Sequence, residues 1–373
     1  MIQSKLLAFL GVCCVFLSFI FSATSAQADK LSYTAYILPK HNTVKDGLEP
    51  YFKELRNKTN GSIDYQFHGG GSLASAKGTL KAVTDGIADS GLIVEAYHRK
   101  NLPINMAIVD LALLGTNALI VGNAVNETVL RQCPECLKTY EKNNVIHFGG
   151  YSTPPYHLMC KEPFKSLADA KGRKVRATGR HANWVRALGA TPVSITGAEI
   201  YEALQRGQVD CTVGAEAWLR SYNLKDAGVK YVLDLPMGTY HGASLMNVNL
   251  DTWDSFSDEE KAAIKSGIPR LTRNVLESYV TETESVRSQY TQQGVEWVKP
   301  GQDIVDFLAD FQKKEVENIK ADVSKKKIKG GVEVIDKFLA NLSKWEKIVN
   351  EEAQGDFDKL EAAMVREIYS KAP

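Results

Sequence analysis

The segment that decides the fold is FKSLADAKGRKVRATGRHANWVRALGATPVSITGAEIYEALQRGQVDCTVG, residues Phe164 to Gly214. Within it, Thr196 and Glu199 have the spacing of a capping box, and Gly207 ends the helix that this box begins. Three short runs in the same segment predict strands near Lys174–Ala177, Thr191–Ser194 and Val209–Val213. Strands that alternate with helices in this way are typical of an α/β fold with a parallel sheet.

The alternation continues on both sides of this segment. Towards the amino terminus it predicts strands at Leu31–Ile37, Ile63–Phe67 and Ser90–Val94, separated by helices at Val44–Lys58 and Leu73–Asp85. A second unit adds strands at Val145–Gly150, Tyr156–Cys160 and Tyr231–Leu235. Ser257 and Glu260 form another capping box, which begins a long helix that runs to Gly294, and amphipathic helices follow from Asp303. The pattern therefore predicts two α/β units followed by helices.

Length and charge exclude several classes of protein. The chain has 373 residues, of which 44% are hydrophobic and 24% are charged, enough for two ordinary domains. Its 45 basic residues nearly balance its 44 acidic ones, so it lacks the basic excess that nucleic acid binding requires. We therefore expect a globular protein with no nucleic acid partner.

The first 28 residues have the pattern of a secretory signal peptide. Lys5 precedes an apolar run from Leu6 to Phe21, and Ala26-Gln27-Ala28 is a small-residue cleavage site. A membrane anchor is the alternative, but the run is shorter than the roughly 20 residues that a spanning helix needs. A lipid attachment at Cys13 or Cys14 is less favoured, because both lie inside the apolar run. We expect export to the periplasm.

Four cysteines remain in the exported chain: Cys133, Cys136, Cys160 and Cys211. An oxidising compartment favours disulfides, and four cysteines allow three pairings. We expect Cys160 to pair with Cys133 or Cys136, because its strand follows that segment closely. The C-x-x-C at Cys133 has neither a second such pair nor histidines at zinc-ligand spacing, so we expect no metal and no cofactor.

No catalytic pattern stands out. The seven histidines are scattered, with none at a metalloprotease spacing, and the chain contains neither a nucleophile elbow nor a P-loop. This favours a binding protein over an enzyme.

The central segment resembles the substrate-binding proteins of tripartite ATP-independent periplasmic (TRAP) transporters, the DctP-like family. The resemblance lies in an ordered series of motifs at Ser166–Arg176, Leu188–Val193 and Glu199–Asp210, with weaker ones at Thr59–Ile63, Asp85–Asp89 and Trp253–Glu259. It implies a two-lobe periplasmic-binding-protein (type II-like) α/β fold with a long hinge-spanning helix. The bounds that we expect are 1–28 for the signal peptide, 29–153 plus 242–256 for lobe I, 154–241 for lobe II, 257–294 for the connecting helix, and 295–373 for C-terminal helices that pack on the lobes.

The resemblance implies that Arg176 pairs with a ligand carboxylate. A guanidinium suits this role because its fork of donors fits a carboxylate bidentately and stays charged when buried. The alternative is a surface salt bridge, since other cations stand nearby in the sequence.

Other site residues follow from departures from the sialic acid-binding relatives. Tyr156 stands where those proteins carry a second arginine, and Gly197 and Gly214 stand near their aromatic and asparagine positions. We expect a ligand with one essential anionic group and an apolar or aromatic body, with Tyr156 and Trp218 as walls. For Trp218, ordinary core packing is the alternative.

From the first lobe, we expect Tyr36 and Glu95 to face the cleft, with Glu95 receiving an amine or hydroxyl of the ligand. The whole pattern predicts a receptor that captures a small organic acid anion by hinge closure. It would work as a monomer and deliver the anion to the small and large subunits of a TRAP membrane permease. A sulfonate receptor, an exported enzyme or a sensor on the same scaffold are the alternatives.

Overall fold

The computed structural model describes residues 29–370. The predicted signal peptide, with Cys13 and Cys14, lies outside these described residues. Within them, no helix combines the length and apolar character that crossing a membrane requires.

Fourteen strands form three sheets in the described part of the chain. They are β1 (Asp29–Thr34), β2 (Ile63–His68), β3 (Ser90–Gly91), β4 (Ile93–Val94), β5 (Val145–His147), β6 (Gly150–Tyr151), β7 (Tyr156–Cys160), β8 (Lys174–Arg176), β9 (Thr191–Val193), β10 (Cys211–Ala215), β11 (Tyr231–Leu233), β12 (Ala243–Ser244), β13 (Asn247–Asn249) and β14 (Glu296–Val298).

Thirteen α-helices accompany these strands over residues 29–370. They are α1 (Glu49–Lys58), α2 (Thr79–Thr84), α3 (Asn105–Val109), α4 (Ala118–Glu127), α5 (Pro134–Glu141), α6 (Gly179–Ala187), α7 (Ile200–Gln205), α8 (Trp218–Ser221), α9 (Leu250–Ser255), α10 (Asp258–Gln292), α11 (Gln302–Lys325), α12 (Gly331–Lys347) and α13 (Phe357–Met364).

The sheets divide the molecule into two lobes, as the sequence predicts. The first sheet has the order β2-β1-β3-β13-β5, and the small third sheet has the order β4-β12-β6. The second sheet has the order β14-β11-β7-β10-β8-β9. We call lobe I the part built on the first and third sheets, and lobe II the part built on the second. The chain passes between them after β6, again before β12, and once more along α10, which leads from lobe I to β14 of lobe II.

The strand pairing follows from the alternation of strands and helices. Strands β2, β1 and β3 are parallel, as are β10, β8 and β9, because a helical connection returns the chain to the same edge. The segment predicted as one strand from Ser90 to Val94 is two short strands that belong to different sheets. The segment predicted to be helical from residue 295 onwards begins with β14, which pairs with β11 of lobe II.

The long helix α10 contacts both lobes. Its predicted capping box is present, since Ser257 accepts from the backbone of Glu260 and the Glu260 carboxylate accepts from the backbone of Ser257. On lobe I, Gly267 leaves room for the Tyr51 ring, which would lie 2.8 Å from a Cβ there. On lobe II, Arg220 Nη1 lies 3.4 Å from the Glu282 carboxylate. A helix of 35 residues is long enough to connect the two lobes.

The carboxyl-terminal helix α12 packs against lobe I, whereas α11 also contacts lobe II, where its Glu315 and Asp322 pair with Arg180. Helix α12 lies along α4, and buried Phe338 and Trp345 share one hydrophobic cluster with Val121. The Trp345 indole N–H donates to the Glu127 carboxylate at 2.8 Å, so the one polar atom of this large side chain has a partner.

Disulfides are present, but the expected pairing of Cys160 with Cys133 or Cys136 is wrong. Cys160 bonds to Cys211, and Cys133 bonds to Cys136. The reason lies in the sheet, because the antiparallel register of β7 and β10 places Cys160 directly opposite Cys211. Cys133 and Cys136 instead lie on the first turn of α5, where residues three apart are neighbours.

Candidate ligand-binding site

A narrow cavity lies between the two lobes. Its volume is about 30 Å³, which is room for one or two water molecules and less than an aromatic acid needs. Aromatic side chains from both lobes dominate its lining, which consists of Tyr36, His41, Val94, Ala96, Tyr97, Tyr151, Thr153, Tyr156, Arg176, Thr178, Gly197, Trp218, Tyr222, Tyr240, Ala243 and Tyr279.

Arg176 stands at the carboxyl end of β8, and its guanidinium is oriented by the backbone. Its Nε donates to the carbonyl of Ile195 at 3.1 Å, and its Nη1 donates to the carbonyl of Val213 at 3.2 Å. Its Nη2 lies 3.5 Å from the hydroxyl of Tyr97, at the limit of a hydrogen bond. Because a guanidinium carries five N–H donors, Nη1 and Nη2 retain donors for a further acceptor.

The charge of Arg176 is buried without a carboxylate partner. Its side chain is buried, with a relative exposure of 2%, and within residues 29–370 it forms no salt bridge. Arg180, four residues later, differs because Glu315 and Asp322 each lie 2.7 Å from its guanidinium. The surface salt bridge considered from the sequence is therefore wrong for Arg176. A buried cation that lacks an anion is costly, and an anionic ligand would compensate it.

Tyr156 and Trp218 both line the cavity beside Arg176, as expected. Their ring centroids lie 5.2 Å apart in an edge-to-face arrangement, and the Arg176 guanidinium lies 5.6 Å from the Trp218 ring. Trp218 is also 6% exposed and belongs to the main hydrophobic core. It therefore packs in the core with part of its surface and lines the cavity with another part.

Gly214 lies under the Trp218 ring and does not line the cavity. A Cβ at this position would lie 2.1 Å from Cε3 of Trp218, a distance that no side chain tolerates. The glycine is therefore required by the tryptophan.

Gly197 and Tyr36 meet across the cavity from opposite lobes. A Cβ on Gly197 would lie 3.1 Å from the Tyr222 hydroxyl and 3.4 Å from the Tyr36 ring. The backbone N–H of Gly197 donates to the Tyr97 hydroxyl at 3.1 Å. Gly197 and Tyr36 thus both lie at the cavity. Tyr97, which contacts Gly197, is not among the residues that the sequence predicts for the site.

The structure does not place the Glu95 carboxylate in the cavity, contrary to expectation. Its neighbours Val94 and Ala96 line the cavity, whereas the Glu95 side chain accepts from Tyr140 and lies 3.5 Å from the Asn105 amide. Glu95 begins a short 3₁₀ helix, Glu95–Tyr97, in which neighbouring side chains point in different directions, so a shift of one residue changes which side chain faces the cavity. Burial raises the pKa of Glu95 to about 7.

His41 is a second lining residue that sequence reasoning missed. Its Nδ1 accepts from the backbone N–H of Thr43 at 3.2 Å, and burial lowers the pKa of the ring to about 4. A neutral ring that accepts at Nδ1 carries its proton at Nε2, so His41 is an uncharged donor. Arg176 is therefore the one lining residue of the described chain that is charged at neutral pH. Because Tyr97, His41 and the remaining tyrosines come from separate segments, no local motif marks them.

Comparisons with known proteins show the family to which the chain belongs. Residues 34–305 match the sequence profile of the bacterial extracellular solute-binding proteins, family 7. A monocarboxylate 2-oxoacid-binding periplasmic protein of Nostoc sp. is 26% identical over 244 residues, which cover 62% of this chain and 64% of that relative.

Two solved structures share the fold. A TRAP periplasmic solute-binding protein of Bordetella bronchiseptica, with bound (R)- and (S)-mandelate, is 22% identical with a TM-score of 0.72. The match covers 84% of this chain and 99% of that one. A marine metagenome TRAP solute-binding protein specific for aromatic acid ligands, in complex with metahydroxyphenylacetate, is 19% identical with a TM-score of 0.76. Here the match covers 85% of this chain and 99% of the other.

Proposed function

Because the chain belongs to family 7 of the bacterial extracellular solute-binding proteins, we propose that it captures an organic acid anion in the cavity between its lobes. The observation that carries this proposal is Arg176, a buried guanidinium with no carboxylate partner among the described residues and with donors to spare. A ligand carboxylate would supply the missing charge bidentately.

The ligand that fits best is a monocarboxylate with an apolar or aromatic body. With His41 neutral, the lining offers one cation for one anionic group. The remaining walls are mostly tyrosine and tryptophan rings, which pack on apolar surface and whose polar atoms can meet a hydroxyl or carbonyl group. The monocarboxylates and aromatic acids bound by the relatives above support the same class.

Export and delivery complete the proposal. Residues 1–28 act as a signal peptide, and the receptor works in the periplasm as a monomer. It passes its ligand to the small and large subunits of a TRAP permease. The lobe bounds proposed are 29–153 plus 242–256 and 154–241, with 257–294 as the connecting helix and 295–373 packing on the lobes.

Calorimetry on the exported chain tests the ligand class. Mandelate, 3-hydroxyphenylacetate, benzoate and pyruvate would be compared with mandelamide, which keeps the ring and lacks the charge. We expect at least one acid to bind with a micromolar or lower Kd and the amide to bind at least tenfold more weakly. Equal affinity for acid and amide, or no binding by any acid, would contradict the proposal.

The same experiment separates the alternatives. Benzenesulfonate presents an anion to the same guanidinium, so tighter binding of the sulfonate than of benzoate would favour the sulfonate receptor. Recovery of the bound acid unchanged, measured by mass spectrometry after prolonged incubation, is expected of a receptor. Chemical conversion of the acid would favour an exported enzyme.

A further inference from the structure

A polar cluster of three residues lies at the second sheet, outside the ligand cavity. His157 is on β7, Glu216 follows β10, and Asp234 follows β11. One ligand atom from each of the three lies within 4.8 Å of the others. None of these residues lines the cavity that contains Arg176, and His157 follows Tyr156 on the strand, so its side chain points to the opposite face of the sheet.

The cluster carries more negative than positive charge. Arg287 of α10 reaches it, with Nη2 2.5 Å from the Asp234 carboxylate and Nη1 3.9 Å from Glu216. Apart from the imidazole, two carboxylates face one guanidinium in this cluster, so the carboxylates exceed the fixed positive charge, and a further cation would balance them.

Glu216 has an oxygen available for such a cation. The carboxylate is 2% exposed, and the Trp297 indole N–H donates to its Oε1 at 2.9 Å. Its Oε2 is buried and has no hydrogen-bond partner. A buried carboxylate oxygen without a partner is costly, and a metal ion is one of the groups that satisfies it.

We propose that His157, Glu216 and Asp234 bind a divalent transition-metal ion of the Zn²⁺ class. Nε2 of His157 lies 3.6 Å from Oε1 of Glu216. Two ligands of a tetrahedral zinc ion lie about 3.3 Å apart when the metal–ligand bonds are about 2.0 Å. An imidazole nitrogen is a common zinc ligand, and one nitrogen with two carboxylates suits Zn²⁺ better than Ca²⁺ or Mg²⁺, which prefer oxygen ligands alone.

Arg287 competes with the metal for Asp234. Its side chain is 45% exposed, and it also lies over the Trp297 ring, 5.5 Å from the ring centroid, so it can leave the carboxylate and remain on the indole. When the metal is bound, the carboxylates of Glu216 and Asp234, which lie beside Arg287, become ligands of the metal. The metal site would thus join three strands of lobe II, away from the ligand cavity.

Zinc titration by calorimetry, on the exported chain without an affinity tag, tests this site. We expect one equivalent of Zn²⁺ to bind in the wild type, and Ca²⁺ to bind at least tenfold more weakly. His157→Gln and Asp234→Asn should each weaken zinc binding at least tenfold, whereas Arg287→Gln should strengthen it because it removes the competing cation. His68→Gln, which changes a histidine on β2 of lobe I, is the matched control and should leave the affinity unchanged.

Two results would overturn the proposal. One is the absence of stoichiometric zinc binding in the wild type. The other is binding that survives both His157→Gln and Asp234→Asn, which would indicate an adventitious surface site. If His157→Gln fails to fold, Asp234→Asn still decides the question, because the Asp234 side chain is 40% exposed and its replacement is isosteric.

Discussion

The hydroxyl of Tyr97 lies 3.5 Å from Nη2 of Arg176, and the two residues belong to opposite lobes. The same hydroxyl accepts from the Gly197 backbone N–H of lobe II at 3.1 Å. A phenol of lobe I therefore contacts the guanidinium of lobe II that a ligand carboxylate would bind. A ligand at Arg176 would lie beside this contact between the lobes, so binding is coupled to how the lobes face each other.

The first prediction concerns Arg176. Arg176→Ala should weaken binding of the acid by at least about 2 kcal/mol, roughly 30-fold, because the ligand loses a desolvated bidentate partner. Arg176→Lys should also bind poorly, since an ammonium lacks the fork of donors. Calorimetry measures both, with Arg186→Ala, at an exposed position of α6, as the control. Affinity close to that of the wild type in either Arg176 variant would refute its role.

A second prediction follows from the packing of Trp218 on Gly214. Gly214→Ala should displace the indole and weaken binding about tenfold or more, because the new Cβ would meet the ring at 2.1 Å. In a Trp218→Ala background the same glycine substitution should cost far less, since the obstacle is gone. Calorimetry on the wild type, the two single variants and the double variant gives the coupling free energy between the two positions. Equal costs in both backgrounds would show that the two positions act independently.

Hinge closure is the third prediction. A ligand that contacts both lobes binds the closed arrangement better and shifts the population towards it. Small-angle scattering should give a smaller radius of gyration with bound acid than without. Tight binding through Arg176 with an unchanged scattering curve would instead indicate a rigid pocket.

The fourth prediction is a pH dependence of stability that depends on Glu95. Burial raises the pKa of this carboxyl to about 7 in the folded chain, above its ordinary value of 4.5. The folded state therefore retains the proton over this interval. The contribution of the protonated Glu95 carboxyl to the free energy of unfolding is complete below pH 4.5 and is lost as the pH rises to about 7. The total loss is roughly 3 kcal/mol.

Chemical denaturation between pH 4.5 and 8 measures this effect. Glu95→Gln should flatten the fall in unfolding free energy, because the amide does not titrate and can still accept from Tyr140. Glu162→Gln, which changes an exposed glutamate, should keep the profile of the wild type. If Glu95→Gln and the wild type have parallel profiles, Glu95 does not cause the dependence.

The fifth prediction concerns the disulfides. Peptide mapping of the non-reduced protein should recover Cys160 linked to Cys211 and Cys133 linked to Cys136. In the chain-entropy description, a bond across 51 residues stabilises by about 4 kcal/mol and one across three residues by less than about 2 kcal/mol. Replacement of Cys160 and Cys211 by alanine should therefore lower the free energy of unfolding, measured in urea, by more than replacement of Cys133 and Cys136. Four free thiols in the periplasmic protein would refute both bonds.

Much of the architecture could be predicted from local sequence. The capping boxes at Thr196 and Ser257 depend on residues three apart in the chain, and the alternation of strands and helices that predicts parallel sheets is visible over short segments. The position of Arg176 at the end of a strand follows from the same patterns. Propensity, capping and periodicity act over a few residues, so the sequence alone determines these features. The roles expected of Arg176, Tyr156 and Trp218 at a ligand site come instead from the resemblance to the TRAP substrate-binding proteins.

Other features depend on contacts between distant segments. Cys160 pairs with Cys211 because the register of β7 on β10 aligns them, and that register involves residues 51 positions apart. Glu95 turns away from the cavity because packing decides which face of its segment is inside. Tyr97 reaches Arg176 only when the two lobes meet. Only the tertiary structure decides such contacts, because each depends on how whole elements pack and no local pattern records that packing.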